Sequence, residues 1–189
     1  MSKKTKLGYV KEVNAEERSV TAYVSTYGWD RMDERFAKGA WNLDAFHKNP
    51  VVLLGHDTSS LPIGKAVSIV EDENGLRAKT IFHQETYEAR GAFALYKDGF
   101  LNAFSVGFIP KNFVAEPLPN GKGKGIVFTE AELYEYSAVA VPANPGALVA
   151  RDMAEMALKA FPGIVRPVEG DPEGRFLVVP EMNGKGLEA

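Results

Sequence analysis

Cysteine and histidine, the side chains best suited to nucleophilic attack and proton transfer near neutral pH, are scarce in this chain. There is no cysteine, and only three histidines occur, His47, His56 and His83. Nucleophilic catalysis therefore has to come from Ser, Thr, Lys or a carboxylate. Ser105 stands out by its surroundings, Ala103-Phe104-Ser105-Val106-Gly107-Phe108. On a strand, Phe104, Val106 and Phe108 share one side, and Ala103, Ser105 and Gly107 the other. That second side has almost no bulk. It would let a peptide backbone approach the hydroxyl, and it would equally let a neighbouring element pack closely.

A serine hydroxyl needs a base. His56 follows the apolar run Val51-Val52-Leu53-Leu54 and Gly55. The end of a strand is where a side chain can be both exposed and rigidly held. A surface histidine in a turn is the plainer reading. His47 sits beside Lys48 and reads as solvated. His83 closes another strand and is the second serious candidate. An imidazole base works best with a partner that fixes its tautomer and offsets its charge. Glu135, in Leu133-Tyr134-Glu135-Tyr136-Ser137-Ala138-Val139, lies at strand spacing on the side of Leu133, Ser137 and Val139. A carboxylate among apolar neighbours must be partnered or lie at an edge. A working histidine base makes activity fall as pH drops below about 6–7.

Other charged or glycine-rich stretches carry less. Asp30, Asp33 and Glu34 lie between Arg31 and Arg35, which reads as internal ion pairing more than metal ligation. Gly121-Lys122-Gly123-Lys124-Gly125 lacks the Ser/Thr and helix of a phosphate loop and reads as a hairpin tip. No cofactor or metal motif is present.

The elements that must position these residues are mainly strands. Val20, Ala22 and Val24 alternate with Ser19, Thr21 and Tyr23. Residues 65–71 and 76–82 flank a polar stretch ending in Asn74-Gly75, a hairpin signal. Residues 40–46 suit a short helix closed by Asn49-Pro50. A longer helix is expected over 85–97, with Ala89, Phe93 and Tyr96 on one stripe and Gly99 as its left-handed cap. Strands follow at 101–110, 126–128 and 133–141, with a loop at 117–125. Asn144-Pro145 opens a last helix, its buried side running from Ala147 through Ala150, Ala154 and Ala157 to Phe161.

Bulk properties bound the class. The chain has 189 residues and a net charge of −3. That length suits one domain of residues 1–161 and a tail of 162–189. The tail holds nine Pro and Gly in 28 residues, a composition typical of flexible segments. The mildly acidic balance disfavours a nucleic-acid or membrane-surface binder. No apolar run approaches the roughly 18 residues of a membrane span. Without cysteine or an evident signal peptide, a reducing cytosolic setting is expected.

Taken in order, several motifs resemble one family. Gly-Trp-Asp-Arg-Met-Asp (28–33), Gly-Ala (39–40), Gly-His-Asp (55–57), Pro-Ile-Gly (62–64), Ala-Phe-Ser-Val-Gly-Phe (103–108) and Glu-Tyr-Ser-Ala-Val-Ala-Val-Pro-Ala-Asn-Pro (135–145) resemble the prohead maturation proteases of tailed phages. The resemblance runs from about Gly8 to Ala150. It implies an α+β fold like that of the herpesvirus capsid-assembly proteases, a mostly antiparallel β-barrel surrounded by helices. It also implies a serine endopeptidase, at work inside the immature shell in the host cytoplasm. The expected substrates are scaffold protein, a scaffold-like segment of the major capsid protein, and the enzyme itself. A homodimer is a further expectation from the herpesvirus relatives.

The family's serine falls on Ser105 and its histidine on His56. Its acidic third member falls on Glu135, with His83 and Asp57 as alternatives. Where the family usually has an aliphatic residue after the acid, this chain has Tyr136. A non-catalytic scaffold module on the same fold is the competing reading. An esterase of the Gly-x-Ser-x-Gly type is disfavoured, because that elbow is missing. If the protein processes itself, the tail is the segment most open to cleavage.

Overall fold

The computed structural model describes residues 12–147, 165–167 and 176–178. The chain divides into two compact units, residues 1–150 and 151–189. The expected domain boundary after residue 161, and most of the helix expected after Asn144, lie outside the described residues. In the second unit, β10 (Val165–Pro167) pairs antiparallel with β11 (Phe176–Val178).

The first unit is built on one nine-stranded sheet. Its strands are β1 (Glu12–Asn14), β2 (Ser19–Thr26), β3 (Glu34–Phe36), β4 (Trp41–Asn42), β5 (Val51–Leu54), β6 (Gly64–Glu71), β7 (Gly75–Phe82), β8 (Ala103–Pro117) and β9 (Lys124–Val139). Two helices, α1 (Asp44–Lys48) and α2 (Tyr87–Asp98), complete it among the described residues.

β9 is the spine. Along one edge it carries the whole of β8, antiparallel. Along the other it receives β3, β4 and β5 in succession, all parallel. From β5 the sheet continues through β6, β7 and β2 to β1 in antiparallel pairs. The expected α+β class holds and most of the pairing is antiparallel, but the expected barrel surrounded by helices is corrected. The sheet is mixed, its hydrogen bonding does not close on itself, and only two helices accompany it among the described residues. The parallel contacts arise because β3, β4 and β5 each return to the same edge of β9, which no hairpin connection can do.

Local expectations fare well where side-chain period decides the matter. β7 buries Leu76, Ala78, Thr80 and Phe82 at a period of two. β2 buries Val20, Ala22 and Val24, but also Tyr23, Ser19 and Ser25. Its pairing with β7 skips a residue between Tyr23 and Ser25, so the strict alternation breaks there. Gly75 is required by close approach as well as by the turn: a Cβ there would lie 2.2 Å from the Ser25 carbonyl oxygen. Helix α2 buries Ala89, Ala92, Phe93 and Tyr96, and Gly99 caps it at φ 85°.

Four features differ from expectation. The helix expected over 40–46 is shifted, because Trp41–Asn42 pairs with Ala131–Glu132 first and α1 starts only at Asp44. The two strands expected at 126–128 and 133–141 are one continuous strand, which β8 on one edge and β4 on the other carry through Glu130–Glu132 despite register shifts in the β8 ladder. The loop at 117–125 accordingly shortens to a turn around Asn120–Gly123. Arg31 and Arg35 do not pair within their own cluster. Arg35 binds Glu116 at 2.6 Å and Arg31 bonds the Pro142 carbonyl, while Asp30 Oδ1 accepts the amides of Met32 and Glu34.

The core beneath the sheet is aromatic where it matters most. Tyr96 stacks on Phe104 with ring centroids 4.9 Å apart, and Phe104 meets Tyr136 edge-on at 5.7 Å. The Tyr96 hydroxyl donates to the Ala103 carbonyl at 2.7 Å. Burial pushes the Tyr96 and Tyr136 hydroxyls well up, so both stay neutral. Helix α2 and β9 thus grip the start of β8 from below, on either side of the residue that precedes Ser105.

Candidate active site

The site forms where three strands run side by side. Ser137 of β9 lies opposite Leu53 of β5 on one edge and opposite Ser105 of β8 on the other. Directly opposed residues stand about 5 Å apart. Ser105 and Ser137 therefore sit next to each other on one face, with Gly107 and Glu135 as the next pair along. The opposite face carries Phe104, Tyr136 and Ala138, all in the main core. The pattern expected for β8 holds: bulky residues inward, small residues on the site face.

The pattern expected for β9 fails at one residue. Strict alternation places Leu133 beside Glu135. Instead the ladder passes from Gly107–Glu135 to Phe108–Leu133, leaving Tyr134 as an extra residue. This bulge turns Leu133 into the core with Tyr136, and Tyr134 outward to solvent. Glu135 keeps Ser137 as its polar neighbour and loses Leu133.

His56 arrives from the end of β5 through a tight turn. Leu54 accepts the Asp57 amide at 3.2 Å, and the two central residues, Gly55 and His56, have φ of 63° and 62°. Glycine takes that conformation freely; for a histidine it costs about 1 kcal/mol. The turn is tied to β9 at two points. The Gly55 amide donates to the Ala138 carbonyl at 2.9 Å, and the His56 amide donates to Ser137 Oγ at 3.0 Å. A strained residue held by its surroundings is common at functional sites.

This turn aims the imidazole at Glu135. His56 Nδ1 lies 2.7 Å from Glu135 Oε1. The other carboxylate oxygen, Oε2, accepts a hydrogen bond from Ser137 Oγ at 2.6 Å. Glu135 is only 3% exposed. Both of its oxygens are thus satisfied inside the protein, as a buried carboxylate requires. The Glu135 hydrogen bond raises the His56 pKa above its ordinary value, against the opposing effect of partial burial. Because Nδ1 faces the carboxylate, the proton of neutral His56 belongs on Nδ1, leaving Nε2 free to accept. Gly107 makes room for all this: a Cβ there would sit 2.1 Å from Glu135 Oε1.

Of the expected residues, the structure brings His56 and Glu135 into direct contact and sets Ser105 one strand away, on the same face. Ser105 is half-buried, and its hydroxyl makes no hydrogen bond among the described residues. Long or absent nucleophile–base bonds are usual before substrate binds. His83 and Asp57 are engaged elsewhere. His83 Nδ1 faces the amides of Glu85 and Thr86 ahead of α2, at 3.4 and 3.3 Å. Asp57 accepts from Ser59 and Ser60 in its own loop, which pulls its pKa down to about 2. His47 is exposed on α1. Ser137 carries no role in the sequence pattern, and Gly107 appears there only as part of the bare side, not as the clearance for Glu135. Their strand spacing matches that of Glu135 and Ser105, but their contacts depend on the β8–β9 register, which no local pattern specifies.

Comparison with known proteins decides the family. The model of the caudovirus prohead serine proteases matches residues 6–159. The chain belongs to that family. Among its relatives is the prohead protease of Escherichia phage T5, 29% identical over 144 residues. That alignment covers 72% of this chain and 65% of the T5 protein, so the chain spans a little under two thirds of that relative's length. The match to the prohead protease family takes in β1 through β9, and with them Ser105, His56 and Glu135.

Proposed function

We propose that this chain is a serine endopeptidase of prohead maturation, with Ser105 as nucleophile, His56 as general base and Glu135 as the group that orients the base. The reading is carried by the 2.7 Å contact between His56 Nδ1 and a buried Glu135, on the one sheet face that also presents Ser105. Ser137, next to it, is completely buried and cannot meet a substrate, which leaves Ser105 as the hydroxyl with access.

In this mechanism His56 Nε2 takes the Ser105 proton as Oγ attacks the scissile carbonyl carbon. The positive imidazolium is stabilised by Glu135. His56 then gives the proton to the leaving amine as the C–N bond breaks, and water hydrolyses the acyl-enzyme by the same steps reversed. Backbone amides hold the oxyanion of each tetrahedral intermediate.

The proposed substrates are those of a protease working inside the immature capsid: scaffold protein, a scaffold-like segment of the major capsid protein, and the enzyme's own chain near residues 162–189. Action as a homodimer is part of the same proposal. Incubation with the cognate capsid and scaffold proteins, followed by sequencing of new termini, tests it. New termini with wild type and none with Ser105→Ala are expected. Intact substrates after wild-type treatment would leave the chain as a non-catalytic assembly module.

A further inference from the structure

Ser137 is an unusual residue to find at the centre of a sheet. It is completely buried, yet its hydroxyl is fully used. It donates to Glu135 Oε2 at 2.6 Å and accepts the His56 amide at 3.0 Å. One atom therefore touches both other members of the pair, one through its carboxylate and the other through its backbone. Nothing else among the described residues does so. Glu135 needs this, because Oε1 alone faces His56 and the carboxylate could otherwise rotate about its terminal torsion. His56 needs it as well. Its left-handed backbone is disfavoured, and the hydrogen bond that its amide donates to Ser137 Oγ is one of the two that pin the turn to β9.

We propose that Ser137 is a positioning residue, whose single hydroxyl sets the carboxylate plane of Glu135 and the backbone of His56 at once. This rests on the reading of Ser105, His56 and Glu135 given above. Ser137 does not touch the reacting atoms, and it acts through the two side chains it aligns. Among the described residues, the titratable groups around His56 are Glu135, which it contacts, and Asp57, which is turned into its own loop. The facing positions on β8, Ser105 and Gly107, add no charge.

The test combines two readouts on the full chain. One is the rate at which a fluorophosphonate modifies Ser105, followed by intact mass. The other is the His56 ring titration by NMR, a tractable signal because the chain has only three histidines. Ser137→Ala is expected to slow labelling by about 10- to 100-fold, the scale of losing an orienting partner. It should also move the His56 titration down toward 6.5, as the Nδ1–Glu135 contact loosens. Ser137→Thr keeps the hydroxyl and should stay close to wild type in both. In a Glu135→Gln background, Ser137→Ala should cost far less than in wild type, since both act through one imidazole.

An unchanged His56 titration in Ser137→Ala, or a loss in Ser137→Thr equal to that in Ser137→Ala, would overturn the positioning role. Full labelling of the chain in Ser105→Ala would instead overturn the underlying reading of the site.

Discussion

The two ends of the β8–β9 ladder are built from the same pair of strands and have opposite characters. β9 is paired on both edges at each end, but at the Ser105 end its polar residues Glu135 and Ser137 are buried with every oxygen engaged. At the far end, Lys111–Pro117 of β8 is largely exposed. There Phe113 and Val114 face solvent, and ion pairs such as Lys111–Glu132 sit at the surface. Strand pairing alone does not make a site. The Ser105 end differs in having β5 alongside, delivering His56 through a strained turn, and in having Tyr96, Phe104 and Tyr136 packed beneath. Buried polar contacts in that setting are strong and hard to replace, whereas exposed pairs contribute little.

Glu135→Gln is the sharpest way to break this contrast. An amide can donate to Nδ1 and so favour the wrong tautomer of His56. Peptide-bond cleavage should drop by about 10³- to 10⁴-fold, the scale of comparable changes in known triads, with the fold retained by circular dichroism. Gly107→Ala comes next. The added methyl collides with Glu135 Oε1, so the carboxylate must move, and kcat should fall about 100-fold with KM little changed.

The pH dependence sharpens the comparison without mutation. His56 has a raised pKa, so the acid limb of kcat/KM should lie above the ordinary 6.5 rather than at it. The base works only when neutral, so activity rises through that limb as pH rises. Stability runs the other way. The charged His56–Glu135 pair contributes fully below the unfolded-state value, and the contribution is lost as pH rises through the folded-state value. A pH–rate profile beside a pH series of thermal melts should show the two trends crossing.

The smallest effect is expected at the far end. Phe113→Ala removes an exposed ring whose only ring contact among the described residues is Phe128 at 6.5 Å. Stability should change by about 0.5 kcal/mol or less, and cleavage of a short peptide should be unaffected.

Much of the site was legible because its residues are locally marked. The bare Ala103/Ser105/Gly107 side and the histidine after an apolar strand depend only on side-chain period and strand ends. Glu135 stands out in the sequence as a carboxylate among apolar residues, but Leu133, two residues before it, faces the core and not the side of Glu135. A bulge at Tyr134 reverses the alternation, and its cause lies in the register with β8, not in the residues themselves. For the same reason the Ser137 hydrogen bonds and the clearance that Gly107 leaves for Glu135 are not legible, since both exist only once β8 and β9 are aligned. The open mixed sheet is not legible in the sequence, because parallel pairing of β3, β4 and β5 with β9 joins residues 84 to 92 positions apart, beyond the reach of any local pattern.

The central claim is that Ser105 is a hydroxyl activated by His56 and Glu135. A fluorophosphonate reports this directly on the purified full chain, with no need to know the natural substrate. The account predicts one adduct, mapped by peptide mass spectrometry to Ser105, formed quickly by wild type and lost in His56→Ala. Labelling of Ser105 at an undiminished rate in His56→Ala, or an adduct on another serine, would contradict it.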